Sequence, residues 1–442
     1  MTELDFPDLP FLKRIFQLPT DSSFETDLGK LESSVSQALP LADYCNNFHN
    51  LVLYRTPSES ALSQVQRTIE SQNPMDITNI QFTSGTTGLP KAAALTHHNL
   101  ENNSKELARI MELSPRDRIC VMVPFYHCMG MVCGNLAAMN SGSAIVIPSP
   151  TFNAKKSLET IERWNCTSTI GVPTMFFEMI KLVQQFPFNL GDFHKCFIAG
   201  SICPKQLILD MDKFLGLSRT HIGYGMTETS PISFMIRNHH PLEKQSTTVG
   251  TIMPHVEAKI LSPEGKPVEI GEKGEYAVKG YLVMPGYYND PENTNKSIQD
   301  GWMMSGDLAK FDEQGFLHIE GRIKDLIIRG GENISPKEIE EYIMGISQVE
   351  NVQVIGVPDP KYQEEICAVI KLKKGQILQK ETVLSFLKPK ISHFKIPKYV
   401  KFVDGFPITV TGKLRKVEMI QEWLNETDTM SEQQIRDKYM IR

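Results

Sequence analysis

The stretch ITNIQFTSGTTGLPKAAALT, residues 77–96, decides the fold. Its two ends, 77–82 and 91–96, are predicted to be strands, and the loop between them consists mainly of Gly, Ser and Thr. Such a loop can surround phosphate oxygens with hydroxyl and backbone N–H groups, while Lys91 adds a positive charge. It is not a Walker A loop, because Pro90 stands where that pattern has Gly before Lys. A generic loop of this composition would be a surface turn, whereas this order of residues between two strands favours phosphate binding.

Strand-like and helix-like runs alternate along the chain after this loop. Apolar and small residues recur at helical spacing after the second strand, at Leu100, Ser104, Leu107 and Met111. Further strands are predicted at 118–125, 143–149, 167–173, 195–201 and 220–225, and helices at 157–164 and 175–183. This alternation predicts an α/β core with a substantially parallel sheet. Ligands of such sheets bind at loops beyond the carboxyl ends of the strands, where we expect residues 83–88, 199–201 and 223–228.

The pattern changes after about residue 245, where short strands separated by Gly, Pro and Asp predict a β-rich subdomain. A domain boundary is predicted near 321–325. Beyond it the sequence predicts a compact α+β pattern, with strands at 326–329, 351–357, 366–372 and 399–403 and helices at 336–345 and 380–389. The expected fold class is therefore α/β, with a large N-terminal domain of mainly parallel sheets, a β-rich subdomain and a small mobile α+β C-terminal domain.

Composition excludes several classes of function. The chain has 442 residues and a formal charge of −6, which gives no general affinity for nucleic acid. No apolar run approaches the roughly 20 residues needed to cross a bilayer. The 8 cysteines form no C-x-x-C pair and mostly lie in apolar surroundings, so we expect buried reduced thiols. The 11 histidines form no H-x-x-x-H pair with an acidic partner, which excludes the usual zinc hydrolase pattern.

Four further motifs stand out along the chain, and two of them contain side chains that suit a nucleotide. In GYGMTE, 223–228, a Tyr can stack on a base, a Thr can bind a phosphate and a Glu can hold Mg²⁺. In SGD, 305–307, the carboxylate can accept ribose hydroxyls, although an isolated Gly-Asp more often closes a turn. The stretch 321–334 reads either as a charged hairpin edge or as a glycine turn that approaches a ligand. In TVTGK, 409–413, nothing local makes the Lys special.

These motifs, in this order, resemble the adenylate-forming superfamily of acyl-CoA synthetases, firefly luciferases and peptide-synthetase adenylation domains. The matching segments are Thr83–Lys91, Tyr224–Glu228, Ser305–Asp307, Gly321–Glu340 and Thr411–Lys413, and the resemblance covers about Ile77 to about Met419. Residues 327–336 and 390–400 resemble the medium-chain acyl-CoA synthetase subgroup, family member 2, in particular. One short motif would be weak support, whereas the complete set in register is specific.

The resemblance implies a ligase that works in two steps. A fatty acid carboxylate attacks the α-phosphorus of Mg·ATP in line and gives acyl-AMP and pyrophosphate. The thiol of CoA, the co-substrate, then attacks the mixed anhydride and gives the thioester and AMP. Most of such catalysis is positioning and neutralisation of charge.

The resemblance also implies a role for each matching residue. The β- and γ-phosphates would be held by the loop Thr83, Ser84, Gly85, Thr86, Thr87, Gly88, Leu89, Pro90 and Lys91. The adenine would be framed by Gly200, Ser201 and Tyr224, and the ribose by Asp307 and Arg322. The catalytic residues would be Thr227 at the α-phosphate and Lys413 at the α-phosphate and acyl carboxylate, with Glu228 on Mg²⁺. His127, beside the acyl pocket, would be the third catalytic residue, and core packing is an equal alternative for it.

A hinge is implied at Lys324, with Gly330 and Gly331 brought to the CoA channel after rotation. The predicted domains are 1–322, an AMP-binding domain incomplete at its start, 323–425, the C-terminal domain, and 426–442, a tail. Incompleteness is expected because family members carry a much longer region before the phosphate loop. Ala92 also replaces the Gly that usually follows the loop Lys.

Two other functions remain open. One is an adenylating ligase with a non-CoA acceptor, and the other is a catalytically impaired ATP-binding paralogue or fragment. The resemblance implies a mitochondrial protein. No targeting segment is visible in the residues, which by themselves leave two alternatives: a cytoplasmic protein, or a targeting segment upstream of this chain. The sequence indicates no oligomeric state.

Overall fold

A computed structural model describes residues 59–83, 90–200, 203–407 and 414–440 of the chain. Within these ranges the α-helices are α1 (Glu59–Ser71), α2 (His97–Ile110), α3 (Ala137–Ser141), α4 (Ala154–Trp164), α5 (Pro173–Val183), α6 (Lys205–Leu215), α7 (Leu242–Thr247), α8 (Pro291–Ser297), α9 (Pro336–Met344), α10 (Lys380–Leu387), α11 (Lys416–Thr427) and α12 (Glu432–Tyr439). Other helical segments are the π-helix Met129–Leu136 and the 3₁₀ turns Thr227–Thr229, Ile323–Asp325 and His393–Lys395.

The strands belong to separate sheets. Those of the first half are β1 (Ile77–Thr83), β2 (Lys91–Thr96), β3 (Arg118–Val121), β4 (Ala144–Val146), β5 (Ser168–Gly171), β6 (Lys195–Ile198), β7 (Arg219–Gly225), β8 (Ile232–Met235), β9 (Thr251–Ile252) and β10 (Val256–Leu261). Those of the second half are β11 (Gly274–Gly280), β12 (Gly286–Tyr287), β13 (Ile298–Gln299), β14 (Trp302–Phe311), β15 (Leu317–Arg322), β16 (Ile327–Arg329), β17 (Glu332–Ile334), β18 (Val349–Asp359), β19 (Gln363–Leu372) and β20 (Tyr399–Val403).

The chain divides into two compact units, residues 1–73 and residues 74–442. The described part of the first unit is α1 with the residues that follow it. The second unit contains every other element named above. The predicted boundary after residue 322 lies inside this second unit and stays a prediction.

A sheet of seven strands in the order β4-β3-β5-β6-β7-β8-β9 forms the centre of the second unit. Its first five members are parallel, and β8 and β9 are antiparallel to their neighbours. Alternate residues of β3 face opposite sides: Cys120 packs with α4, α5 and α6, whereas Ile119 and Val121 pack with α2 and the π-helix. Helices therefore cover both faces, as expected for parallel strands, and the predicted α/β core is confirmed.

Antiparallel sheets flank this core. Strands β10, β11, β14 and β13 form one sheet, with β15 paired to β14, and β1, β2 and β12 form another. The C-terminal sheet has the order β17-β16-β19-β18, and β20 joins β19 in parallel. The helices α9 and α10 pack on one face of it, and α11 and α12 on the other. The β-rich subdomain and the α+β pattern predicted from the sequence are both present.

Some predicted elements have different ends. The strand predicted over 118–125 stops at Val121, because the chain turns at Pro124 into the π-helix. The stretch 426–442, predicted as a tail, contains α12, and Tyr439 of that helix stacks on Trp423 with ring centroids 4.9 Å apart. The seven cysteines in the described ranges are buried. Among the described helices, none is long and apolar enough to span a membrane.

Candidate functional site

Loops from separate elements meet beyond the carboxyl end of β7. The 3₁₀ turn Thr227–Thr229 follows β7 directly and contacts β2, the strand after the predicted phosphate loop. Strand β12 pairs with β2, and the backbone N–H of Met284, two residues before β12, donates to the carbonyl of Glu228. The edge of the parallel sheet, the β1–β2 hairpin and the β12 segment therefore surround one region, where ligands of such sheets bind.

The first group of functional side chains at this edge is centred on Asp307. Its Oδ2 accepts a hydrogen bond of 2.5 Å from the Tyr224 hydroxyl, and its Oδ1 lies 3.1 Å from Nε of Arg322. Asp307 lies on β14, Arg322 at the end of β15 and Tyr224 on β7. Asp307 and Arg322 are brought together because they pair across the β14–β15 ladder. Tyr224 comes from a part of the chain 83 residues before Asp307.

The electrostatics of this group follow from its burial. Asp307 is 7% exposed, and burial raises the pKa of its carboxyl, against the opposing effects of the Arg322 charge and the Tyr224 hydroxyl. Burial, and then the Asp307 charge, raise the pKa of Tyr224, so the phenol stays protonated and donates. The result is a carboxylate with few internal donors, which can accept hydrogen bonds from hydroxyl groups of a ligand.

The local sequence explains how Asp307 is presented. Gly306 has a φ of +70°, and its N–H donates to Oε1 of Glu275 at 3.0 Å. The Ser305 hydroxyl donates to the Tyr276 carbonyl at 2.7 Å and accepts the N–H of Asp307 at 3.0 Å. These bonds fix the bend in β14 without the Asp307 carboxylate. The common alternative, an Asp whose carboxylate closes a turn, therefore does not describe the bonds seen here.

The second group links Glu228 to Lys91. Glu228 is 7% exposed, and its Oε1 accepts a 2.8 Å hydrogen bond from the Tyr287 hydroxyl. The Nζ of Lys91 lies 4.9 Å from the centre of the Tyr287 ring, a cation–π distance. Burial, and then the Glu228 charge, raise the pKa of Tyr287. A single carboxylate of this kind suits Mg²⁺, which takes most of its ligands from phosphate oxygens and water.

Thr227 and His127 lie near one cysteine. The Oγ1 of Thr227 is 3.7 Å from the Sγ of Cys128, and that sulfur is 3.8 Å from Nδ1 of His127. The Nδ1 of His127 also accepts the N–H of Met129 at 3.2 Å, and the side chain is partly buried. The structure therefore brings His127 to the same edge as Thr227, at the start of the π-helix.

Two glycines allow close packing at this edge. Gly200, with a φ of +89°, follows β6, and a side chain in its place would be strained. At Gly225 an added Cβ would lie 1.8 Å from the carbonyl oxygen of Pro231, so only glycine fits there.

Part of the predicted site lies outside the described residues, namely Ser84, Gly85, Thr86, Thr87, Gly88, Leu89, Ser201 and Lys413. The flanks of the phosphate loop are described: the Thr83 hydroxyl donates to the Lys91 carbonyl at 3.3 Å, and Pro90 is exposed. Ala92, which departs from the family pattern, accepts the N–H of Tyr288 at 2.7 Å through its carbonyl.

The predicted hinge and CoA residues lie on the C-terminal side of Arg322. Lys324 occupies the 3₁₀ turn Ile323–Asp325 between β15 and β16, and desolvation together with the Arg322 charge lowers its pKa. Gly330 and Gly331 form the turn between β16 and β17, with φ values of +61° and +89°. A Cβ built on either glycine would meet no residue of the Asp307 group within 4 Å.

Sequence reasoning missed Tyr287. Its signal was the aromatic pair in GYYND, 286–290, in the middle of the β-rich subdomain. Nothing in that string indicates Glu228, because the bond between them spans 59 residues of chain.

Comparisons with known proteins identify the family of the chain. The AMP-binding enzyme family model matches residues 24–288, and the AMP-binding enzyme C-terminal domain model matches residues 338–413. The chain is 42% identical over 353 residues to the mitochondrial medium-chain acyl-CoA ligase ACSF2 of Rattus norvegicus, covering 78% of this chain and 57% of that protein. It is 39% identical to the putative acyl-CoA synthetase YngI of Bacillus subtilis, covering 86% of this chain and 69% of that protein.

Solved structures give the same result. The ATP-bound MatB of Rhodopseudomonas palustris superposes with a TM-score of 0.73 at 32% identity, over 80% of this chain and 69% of that one. The o-succinylbenzoate CoA synthetase MenE of Bacillus subtilis, in complex with an acyl-adenylate, gives a TM-score of 0.70 at 27% identity, over 78% of this chain and 69% of that one. The chain spans 57% and 60% of the lengths of the rat and mouse ACSF2 relatives. On the matched domains and the identity to these relatives, the chain belongs to the AMP-binding enzyme family.

Proposed function

We propose that the chain is an AMP-forming acyl-CoA synthetase, which makes acyl-AMP from ATP and a fatty acid and then acyl-CoA from CoA. The observation that carries this proposal is the Asp307 carboxylate, which is buried yet bonded only to Tyr224 and Arg322 among the contacts described above. Two carboxylate oxygens in such surroundings suit the two hydroxyls of a ribose. The position of this carboxylate beside the β7 turn supports a nucleotide in the groove.

The remaining roles follow from the geometry of the same edge. Thr227 would donate to the α-phosphate, and Glu228, oriented by Tyr287, would hold Mg²⁺, which when bound neutralises phosphate charge. Lys91 and the loop residues 84–89 would take the β- and γ-phosphates. Because phosphoryl transfer is mostly positioning and charge neutralisation, these groups would hold ATP so that a fatty acid carboxylate can attack its α-phosphorus in line.

Different residues of the C-terminal region would act in the two steps. Lys413 would neutralise charge at the α-phosphate and the acyl carboxylate during the first step. A rotation at Lys324 would then bring the Gly330–Gly331 turn to CoA for the second step. The domain limits 1–322, 323–425 and 426–442 belong to this proposal. The rat relative carries the name of a mitochondrial medium-chain ligase, which supports a medium-chain fatty acid as substrate, a role in fatty acid metabolism and a mitochondrial location.

The test is pyrophosphate release by the purified chain with ATP and Mg²⁺, with and without fatty acids of short, medium and long chain. We expect release that depends on the acid, and acyl-CoA after addition of CoA. Lys413→Ala should abolish acid-dependent release, whereas Lys374→Ala, which changes an exposed lysine of the same C-terminal region, should not. A Lys413→Ala protein with full activity would remove the role given to that residue.

The two alternative functions would give different results in the same assay. Tight ATP binding without release on addition of any carboxylic acid would indicate an impaired ATP-binding paralogue. Acid-dependent pyrophosphate release that yields no thioester with CoA would indicate another acceptor, such as an amine or a carrier thiol. Either result would contradict the proposed synthetase.

A further inference from the structure

The turn formed by Gly330 and Gly331 is open on one side and supported on the other. A Cβ placed on Gly331 would meet nothing within 4 Å, whereas a Cβ on Gly330 would lie 3.2 Å from Cδ1 of Tyr362. Arg329 pairs with Glu332 across the hairpin, so the two glycines make the whole connection between β16 and β17. Both have positive φ values, which glycine adopts readily in a two-residue hairpin turn. The open side is where a ligand can approach the backbone.

A neighbouring turn provides the support. The N–H of Gly330 donates to the carbonyl of Tyr362 at 2.9 Å, and the Arg329 guanidinium lies over the Tyr362 ring, 4.6 Å from its centre. The Oδ1 of Asp359 accepts the N–H groups of Lys361 and Tyr362 at 2.9 and 3.0 Å, which fixes this second turn. The position of the glycine turn therefore depends on the 359–362 turn and on Arg329.

A cluster of alternating charges holds both turns. Arg329 binds Glu365 through two hydrogen bonds, from Nε to Oε2 at 2.7 Å and from Nη2 to Oε1 at 3.0 Å, and Glu365 is 1% exposed. Lys398 lies 3.9 Å from Oε1 of Glu365 and 2.7 Å from Oδ2 of Asp359. The hydrogen bonds that Arg329 donates to the carboxylate of Glu365 raise the pKa of Arg329, so its positive charge persists at all working pH values.

Stability alone does not explain such a cluster. Buried ion pairs are often no more stabilising than apolar residues of similar volume, and in some proteins they fix geometry instead. The bidentate Arg–carboxylate contact is the most directional form of such a pair. Here the contact joins β16, the strand that leads into the glycine turn, to β19, the central strand of the C-terminal sheet.

We propose that Arg329 and Glu365 are positioning residues for the second half-reaction, because they hold the Gly330–Gly331 turn where CoA must pass. This inference rests on the proposed function. In that step the CoA sulfur bonds to the acyl carbonyl carbon, the bond from that carbon to the phosphate oxygen breaks with its electron pair leaving on AMP, and the thiol proton passes to water. Neither Arg329 nor Glu365 touches the reacting atoms.

The experiment compares Arg329→Gln and Glu365→Gln with the control Glu350→Gln. The control removes an exposed ion pair, Lys371–Glu350 at 2.8 Å, that joins the strands β18 and β19. We measure acid-dependent ATP–pyrophosphate exchange, kcat and KM for CoA, and hydrogen–deuterium exchange of the amides of 327–334. We expect pyrophosphate exchange within about twofold of the original chain, kcat/KM for CoA lower by about tenfold or more, and faster amide exchange in the turn. The control should change none of these.

A double variant separates positioning from stability. Arg329→Met combined with Glu365→Leu replaces the pair by apolar residues and should keep the fold, while CoA kinetics stay impaired. Full recovery of kcat/KM for CoA in the double variant would overturn the proposal, as would unchanged amide exchange in Arg329→Gln or an equal loss in both half-reactions. If the original chain shows no acid-dependent pyrophosphate exchange, the proposed function fails, and the amide exchange still decides whether the pair positions the turn.

Discussion

Asp117 and Asp307 are both buried, at 4% and 7% exposure, and lie near opposite ends of the parallel strands. Asp117 lies before β3, at the amino end of the parallel strands, and Asp307 lies beside the carboxyl end of β7. The Asp117 carboxylate accepts bonds from Lys195 at 3.0 and 3.1 Å, from the Thr167 hydroxyl at 2.8 Å, and from the N–H and hydroxyl of Ser114 at 2.8 and 3.0 Å.

The pKa values of the two groups move in opposite directions. Burial acts to raise the pKa of Asp117, but the hydrogen bonds from Thr167 and Lys195 together lower it below its usual value. At Asp307 the effect of burial is larger than the opposing effects of the Arg322 charge and the Tyr224 hydrogen bond, and the pKa is raised. The first carboxylate is satisfied by the protein itself, whereas the second retains acceptor capacity. A group kept in that state is typical of a binding site, because a ligand completes its bonds.

The largest effect is expected from Asp117→Ala. The change leaves the Lys195 ammonium, 7% exposed, buried without its carboxylate. Removing one partner of a buried pair costs about 3 kcal/mol or more of folding free energy. Urea unfolding should show this loss, while ATP affinity of the folded protein should stay the same. A loss below about 1 kcal/mol would contradict the structural role of this pair.

The next effect is expected from Asp307→Asn. Loss of one charged acceptor for a ribose hydroxyl should weaken ATP binding by about 2 kcal/mol, roughly 30-fold. The free energy of unfolding should change by less than about 1 kcal/mol, because the carboxylate contributes little to folding. Titration calorimetry with ATP measures the affinity. Asp312→Asn is the matched control, since Asp312 lies after the same strand and binds Lys244 at 2.6 Å; an equal loss of ATP affinity in this control would contradict the assignment.

The pH dependence of stability should also differ in sign. Asp117 has a lowered pKa, so its contribution is present above its unfolded pKa of about 3.9 and is lost as pH falls through the folded value. Asp307 has a raised pKa, so its carboxyl favours folding below about 3.9 and this contribution is lost as pH rises through the folded value. The unfolding free energy of the original chain minus that of Asp117→Asn should therefore decrease as pH falls below about 4, whereas the same difference for Asp307→Asn should decrease as pH rises above about 4. Unfolding free-energy differences that change with pH in the same sense for both variants would contradict the distinction between the two carboxylates.

The smallest effects should come from the neutral donors. Thr167→Val and Tyr224→Phe each remove one hydroxyl donor with little change of shape, at a cost of about 1 kcal/mol. We expect Thr167→Val to reduce stability only, because Asp117 keeps its other donors. Tyr224→Phe should in addition weaken ATP binding, because the orientation of Asp307 depends on this bond. A Tyr224→Phe protein with unchanged ATP affinity would show that the bond has no part in the site.

The sequence predicted more of the fold than of the site's contacts. The run from residue 77 to 96 has strands on either side of a glycine-rich loop, and periodicity alone identified them and the parallel core. Tyr224, Asp307 and Arg322 could be named from motifs, but their convergence required the tertiary structure, since 83 residues separate Tyr224 from Asp307. Tyr287 was missed because the aromatic pair in residues 286–290 does not indicate that one of its side chains lies beside Glu228. The end of β3 was misjudged because apolar residues continue past Val121 into the π-helix, which has no sequence period of its own to mark it.

The most direct test of the central claim follows one oxygen atom. The chain is incubated with Mg·ATP, CoA and a medium-chain fatty acid whose carboxylate carries ¹⁸O, and AMP is examined by mass spectrometry. If the carboxylate attacks the α-phosphorus, one ¹⁸O per turnover should appear in the phosphate of AMP, with pyrophosphate and acyl-CoA as the other products. Products of ADP and phosphate, or AMP without the label, would contradict the account.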